Sequence, residues 1–455
     1  MTHIVQVLTA PGVGAYYFDD LAALQSRSMP VAERYTAAPV TPGFRRVREV
    51  AEAVSVGLVL SDGRVAWGDC VAVEFSGKAG RDPVLRTDPA IATIDRVVAP
   101  MLVGRSLTTF GELAAEVDGL TEEATESRPL PQRQPGQDLS RRELLAAPVR
   151  LLQSDPQTES IIVRQKLHTA VRYGVSQAIL GAVALVRGVT PTEVICQEWG
   201  LPLPDSPVAV HAQSGGERYA NADKMITRRV ASLPHALVDN IPEQLGSDGG
   251  ELVRYARWLR ERLQTLGDDG YRPTIHLDVH GALGQIFENN LGRVLGHLYA
   301  LEKAVQPYRL RVECPVMMDS RQAQIQAMKT LREYVRARKL SVQIVADEWA
   351  NTLDDIHAFV DAQAADMIQV KMPDLGSLHH TIEAVQWCRT HGVAAFLGGS
   401  CAETDLSARV SAHVALATRP DILMAKPGMG VDEGISIVQN EMARTLAWIR
   451  ARRAA

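Results

Sequence analysis

The sequence predicts an α/β fold: a (β/α)8 barrel preceded by an N-terminal α+β capping domain. Three observations carry that expectation. At 455 residues the chain exceeds one ordinary domain and suits two. Its rhythm changes near residue 203, from strands followed by helices to strand and helix in alternation. The second part then holds eight strand candidates in about 230 residues, the length and count of a closed (β/α)8 barrel. The boundaries read 1–203 for the capping domain and 204–455 for the barrel with a C-terminal helical segment.

In the first part, short strand-like runs at Ile4 to Leu8, Ser55 to Leu60 and Val65 to Trp67 precede helical stretches, one spanning Ile162 to Val186. Residues 121–160 are rich in Pro, Gln, Arg and Ser and read as an exposed insertion, with a short helix at Arg141 to Ala147. The eight barrel candidates are VAVHAQ, HALVDNI, TIHLDVHG, LRVECP, VQIVADEW, MIQVKMPD, AAFLGG and ILMAKPG. Several are dense in apolar or β-branched residues, as strands covered on both faces should be. Helical patterns such as RQAQIQAMKTLREYVRARK and LHHTIEAVQWCRTHG separate most of them.

Composition narrows the classes of function. A hydrophobic share of 46% with 22% charged residues describes a soluble chain with a large core. No apolar run approaches the roughly 20 residues of a membrane span, and the N-terminus lacks the layout of a signal peptide. The net charge is −5 and basic residues are scattered, which argues against a nucleic-acid partner. Five widely spaced cysteines without a CxxC pair suggest neither a thiolate zinc site nor a disulfide framework. A reducing cytoplasm is the expected location.

Chemistry gathers at four successive strand ends. Barrel enzymes draw their active groups from the C-terminal ends of strands and the loops after them. Asp278 in HLDVHG, Glu313 in RVECP, Asp347 in IVADEW and Lys371 in QVKMPD follow one another at separations of 35, 34 and 24 residues, each about one βα unit. Taken singly, each carboxylate is better read as a salt-bridge or helix-cap residue. Three in consecutive units beside a lysine are not. Such carboxylates would raise one another's pKa unless a cation held them, and an all-oxygen donor set favours Mg²⁺ or Mn²⁺. Gln369, two residues before Lys371, points to the same side of its strand. A lysine beside a divalent cation can have a lowered pKa and act as a general base.

With these residues in place, the chain resembles the enolase superfamily and, within it, the methylaspartate ammonia-lyases. The resemblance runs along nearly the whole chain through AYYFDD, GDCVAVEFSGKAGRDP, LHTAVRYGVSQAIL, AQSGGERY, LPHAL, VADEW, QVKMPDLG, GGSCAET and AKPGMGVDEG. It implies a Mg²⁺-dependent carbon–nitrogen lyase of amino-acid degradation that takes ammonia from 3-methylaspartate, or a close amino diacid, to give mesaconate. Asp278, Glu313 and Asp347 then fall on the metal ligands and Lys371 on the base for the (S)-configured C3 proton. His235 falls on the histidine across the substrate, which serves the opposite C3 epimer and contacts the carboxylate. Gln369 falls on a carboxylate-binding glutamine, and Gln213 on one that holds the α-amino and α-carboxylate end. Ser400 and Cys401 fall on a Thr-Cys pair whose side chain and backbone N–H groups hold the α-carboxylate. The resemblance also implies a homodimer and a monovalent cation such as K⁺.

Three positions depart from the family pattern. Glu74 stands where the family has Gln against the substrate amine, Ser400 replaces Thr, and Met424 replaces Leu in the pocket for the C3 substituent. Glu74 would add a full negative charge beside the substrate ammonium. Two other readings accompany the lyase: a racemase or dehydratase of the same superfamily acting on another carboxylate, and a non-catalytic binding module. A Schiff-base aldolase would also use a strand lysine but would not need the three carboxylates.

Overall fold

The computed structural model describes residues 2–26, 29–129, 158–426 and 428–454. The chain divides into two compact units, one comprising residues 1–118 with 168–455 and the other residues 119–167.

In the first unit, β1 (Ile4–Asp19), β2 (Arg48–Leu60) and β3 (Val65–Cys70) form an antiparallel sheet in chain order. Val54, Val56, Leu58 and Leu60 are all buried, at the two-residue period that gives a sheet one apolar face. The helix α1 (Thr169–Arg187) packs on this sheet. A Cβ on Gly68 would collide with the Gly174 carbonyl, and one on Gly174 with the backbone of Asp69 and Cys70. Helix and strand thus meet backbone to backbone.

Eight parallel strands follow and close on themselves: β6 (Val210–His211), β7 (Ser232–His235), β8 (Thr274–Asp278), β9 (Arg309–Glu313), β10 (Gln343–Ala346), β11 (Met367–Val370), β12 (Ala394–Leu397) and β13 (Ile422–Met424), with β13 pairing back to β6. The predicted barrel with its N-terminal antiparallel cap is therefore the observed fold. The chain ends in α2 (Val431–Ala454).

The second unit is a two-stranded ribbon between them in sequence, β4 (Thr121–Pro129) against β5 (Thr158–Lys166). Its described side chains are exposed or half-buried along both strands, as a lone ribbon requires. The helix expected at Arg141 to Ala147 lies outside the described residues.

Three expectations need correction. The second barrel strand is Ser232–His235, not HALVDNI. Pro234 disguised it, because proline reads against a central strand. Left-handed backbone at His235 and Ala236 (φ +66° and +51°) then turns the chain out of the ladder. The helix expected from Ile162 begins only at Thr169; the β-branched run Ile161, Ile162 and Val163 belongs to β5. His168 marks the helix start by accepting from the Ala170 N–H at 3.0 Å. Finally, α1 is long and apolar enough to cross a membrane by length and composition alone. Most of it is buried against the sheet and neighbouring helices, so it serves as a core helix.

Candidate active site

Barrel order determines how the chemistry is laid out. β7 and β11 lie four strands apart in a ring of eight, so His235 and Lys371 come from opposite sides of the mouth. On the arc between them β8 ends in Asp278 and β9 in Glu313, while Asp347 follows β10. Asp278 and Glu313 are register partners on adjacent strands.

One cavity at this end is lined by Glu74, Gln213, His235, Asp278, Asp347, Gln369, Lys371, Ser400, Cys401 and Met424. Of the residues expected in the site, only Glu313 is absent from its wall. It lies fully buried, with His276 Nε2 2.7 Å from its Oε2, and it accepts from the Gln369 amide.

The other two carboxylates also have protein partners. Lys371 Nζ donates to Asp347 Oδ2 at 2.7 Å. His235 Nε2 is 3.3 Å from Asp278 Oδ2. Burial, and then Asp278 and Asp347, hold the Glu313 carboxyl far above its ordinary range. Burial raises Asp347 too, against the pull of Lys371. In Asp278 the burial effect is outweighed by the hydrogen bond and charge of His235, and the net shift is downward. Burial alone would lower Lys371, but Asp347 more than offsets it and the ammonium is held above its usual range. The lowered pKa expected of this base is therefore not a property of the protein groups by themselves.

This donor set fits a hard divalent cation. Three buried carboxylates on adjacent strands, two of them destabilised as anions, are what such an ion neutralises. Asp278, Glu313 and Asp347 could hold it by exchanging their present partners for the ion. Among the described residues, one group of three ligand atoms lies within 4.8 Å: His235, His276 and Glu313. Two imidazoles and one carboxylate suit a transition metal better than Mg²⁺.

Several contributors carried no separate signal in the sequence. Arg81, from the loop after β3, donates to Glu348 Oε2 at 2.7 Å and to Asp374 Oδ2 at 2.9 Å, with Asp347 Oδ1 at 4.0 Å. Burial would raise Glu348, but Arg81 reverses this and holds it down at about 2. His280 Nδ1 lies 3.4 Å from the same carboxylate. The doublet Asp347–Glu348 at a strand end was a visible hint; Arg81, in KAGRDP, had no local pattern. Lys426 is fully buried and donates to the Gly398 carbonyl at 2.8 Å, with Glu403 at 3.4 Å.

In the same cavity, the Ser400 backbone N–H donates to Glu403 Oε2 at 2.9 Å. The Ser400 hydroxyl is buried without a hydrogen-bond partner among the described residues. The Cys401 thiol lies 3.9 Å from Gln213 Oε1. Burial first and Glu74 second push its pKa up, which keeps it protonated. The charge expected on Glu74 also needs correction. Burial and the nearby Asp19 push its carboxyl up to about 8, so at neutral pH it is mostly the uncharged acid. In that form it offers one donor and one acceptor, much as an amide does.

Comparison with known proteins agrees with this architecture. Residues 2–200 match the family model of the methylaspartate ammonia-lyase N-terminus and residues 202–451 that of its C-terminus. Methylaspartate ammonia-lyase 1 of Carboxydothermus hydrogenoformans is 44% identical over 98% of this chain and 96% of its own. The Citrobacter amalonaticus methylaspartate ammonia-lyase, solved with (2S,3S)-3-methylaspartic acid, superposes with a TM-score of 0.87 at 40% identity, covering 98% of this chain and all of that one. The Mg complex of β-methylaspartase from Clostridium tetanomorphum gives 0.84 at 39% identity, covering 99% and 100%. In fold alone, the muconate lactonizing enzyme of Pseudomonas fluorescens is also alike, with a TM-score of 0.57 at 15% identity over 91% of this chain and 85% of its own. The chain belongs to the methylaspartate ammonia-lyase family.

Proposed function

We propose that this ammonia-lyase eliminates ammonia from (2S,3S)-3-methylaspartate to give mesaconate, using Mg²⁺ held by Asp278, Glu313 and Asp347. The observation that carries the reading is the paired arrangement of Lys371 and His235 on opposite sides of one cavity, with the carboxylates on the arc between them. Relatives solved with Mg and with (2S,3S)-3-methylaspartic acid support the metal and the substrate.

Lys371 takes the C3 proton of the (2S,3S) substrate as a neutral amine. The C3–H electron pair becomes the C2=C3 bond, and the C2–N bond breaks with its pair on nitrogen. The amine, bound as ammonium, leaves directly as NH₃, so no further proton is needed. When bound, Mg²⁺ supplies positive charge against the substrate carboxylate on which negative charge develops. Its charge also offsets that of Asp347, which otherwise keeps Lys371 protonated. His235 serves the opposite C3 face. Gln369, Gln213, Ser400 and Cys401 bind the carboxylates and the amine end, Glu74 faces the amine in its neutral form, and Met424 packs against the C3 methyl.

The family resemblance further supports a homodimer in the cytoplasm and a monovalent cation such as K⁺. The family models meet between residues 200 and 202, which supports a domain boundary near residue 203.

The test is direct. Purified protein with Mg²⁺ and (2S,3S)-3-methylaspartate should produce the ultraviolet absorbance of an unsaturated diacid together with ammonia, and chelation should stop both. Proton exchange at the carbon without ammonia would favour the racemase reading. Failure to bind Mg²⁺ by calorimetry would favour the binding module.

A further inference from the structure

Behind His235 runs a buried hydrogen-bonded chain that the elimination by Lys371 does not use. His235 lines the cavity, but its Nδ1 faces inward and lies 3.2 Å from His211 Nε2. His211 Nδ1 in turn lies 2.9 Å from Ser232 Oγ. His211 and Ser232 are fully buried. The His211 ring meets that of His235 edge-on, with centroids 5.3 Å apart, and also packs on Phe396. No part of His211 lines the cavity, so it cannot touch a substrate there. A buried polar ring of this kind is costly unless each nitrogen is satisfied, and both of its nitrogens are.

The chain can be satisfied in either direction. With Ser232 donating to His211 Nδ1, the His211 Nε2–H donates to His235 Nδ1, and His235 carries its proton on Nε2. With each bond reversed, His235 Nδ1–H donates to His211 Nε2, the His211 Nδ1–H donates to Ser232 Oγ, and His235 Nε2 presents a lone pair. A serine hydroxyl accepts or donates equally well, so either direction satisfies both nitrogens of His211; in the first, the His235 Nε2–H also faces Asp278 Oδ2 at 3.3 Å.

We infer that His211, backed by Ser232, is the positioning residue of His235, fixing the orientation of its ring through Nδ1 so that Nε2 is presented to the cavity. The inference rests on the reading of His235 as the base for the second C3 epimer. In that step the C3–H bond breaks as the Nε2–H bond forms, the C3 pair becomes the C2=C3 bond, and ammonia leaves with the C2–N pair. The resulting imidazolium keeps its Nδ1–H on His211 Nε2.

The experiment compares elimination of (2S,3S)- and (2S,3R)-3-methylaspartate by the Mg²⁺-loaded enzyme and by its His211→Phe, His211→Asn and Ser232→Ala variants. The readout is the ratio of kcat on the (2S,3R) epimer to kcat on the (2S,3S) epimer. His211→Phe should lower that ratio about tenfold or more, part of the roughly 10²–10⁴ that a general base contributes. His211→Asn, which keeps a polar group toward Nδ1, should restore part of it, and Ser232→Ala should lower it less than His211→Phe. A merely structural role would slow both epimers alike, and an unchanged ratio in every folded variant overturns the inference. If His211→Phe does not fold, the ratios for His211→Asn and Ser232→Ala decide. Wild-type enzyme active on (2S,3S) but inert on (2S,3R) overturns the inference through its base while leaving the lyase standing. Inertness toward both epimers overturns the proposed substrate itself.

Discussion

Replacing Arg81 with methionine removes the cation on which two buried carboxylates depend. The guanidinium is about as buried as a charge can be, and it sits 2.7 Å from Glu348 and 2.9 Å from Asp374. Two unit charges 4 Å apart attract by about 4 kcal/mol at an effective dielectric of about 20, and these pairs are closer. Against that stands the desolvation of each ion, several kcal/mol apiece, so the intact cluster adds little net stability. Breaking it is different, because the carboxylates stay buried without compensation. The expected loss is about 3–5 kcal/mol for Arg81→Met. The assay is urea unfolding of metal-free protein at neutral pH, followed by tryptophan fluorescence. Glu348→Gln and the double variant complete a cycle, and the double variant should be more stable than the sum of the single losses by about 0.5–3 kcal/mol. A loss below about 1 kcal/mol, or strict additivity, would refute the reasoning.

Four further outcomes follow from the site and the core. Glu74 binds its proton more tightly in the folded chain, with a pKa near 8 against 4.5 unfolded. The stability it contributes is therefore full below about 4.5 and lost as pH rises through about 8. Glu74→Gln should match wild type in Tm near pH 4.5 and become progressively more stable than it towards pH 9; parallel Tm profiles would contradict this. Lys371→Ala should lower kcat on (2S,3S)-3-methylaspartate by about 10²–10⁴ while calorimetry still detects Mg²⁺. Asp347→Asn should weaken Mg²⁺ binding in the same titration, and unchanged affinity would remove Asp347 from the ligand set. Gly174→Ala pushes a methyl into the backbone of β3 and should cost about 1–3 kcal/mol of stability, measured by denaturant midpoint.

How legible the molecule was depended on the range of the signal. Alternation of apolar runs and helical periods predicted the barrel, because each βα unit is a local pattern that repeats. Asp278, Glu313, Asp347 and Lys371 stood out for the same reason, each closing a strand at regular spacing. The strand ending in His235 was misplaced because Pro234 suppresses the usual propensity, and parallel pairing to Thr274 through Leu277 overrode it. His211 and His276 could have been read from alternation, since each lies two residues before an expected site residue on the same strand face. Arg81 could not. Its partners Glu348 and Asp374 are 267 and 293 positions away in the chain, so only the fold brings them together. The neutral form of Glu74 was equally hidden, because it depends on burial and on Asp19 rather than on residue type.

That long reach of Arg81 bears on how the protein acquires activity during synthesis. Asp374 emerges from the ribosome long after Arg81, and closure of so large a loop comes late in a chain dominated by distant pairings. Before that closure, Arg81 has no carboxylates to meet, and Glu348 and Asp374 have no cation. A nascent or truncated chain would thus carry most of the sheet and several barrel strands while this buried cluster of charges remained unbalanced. Catalytic competence should appear only with the last long-range contacts, which makes the onset of turnover during refolding a sensitive clock for completion of the native state.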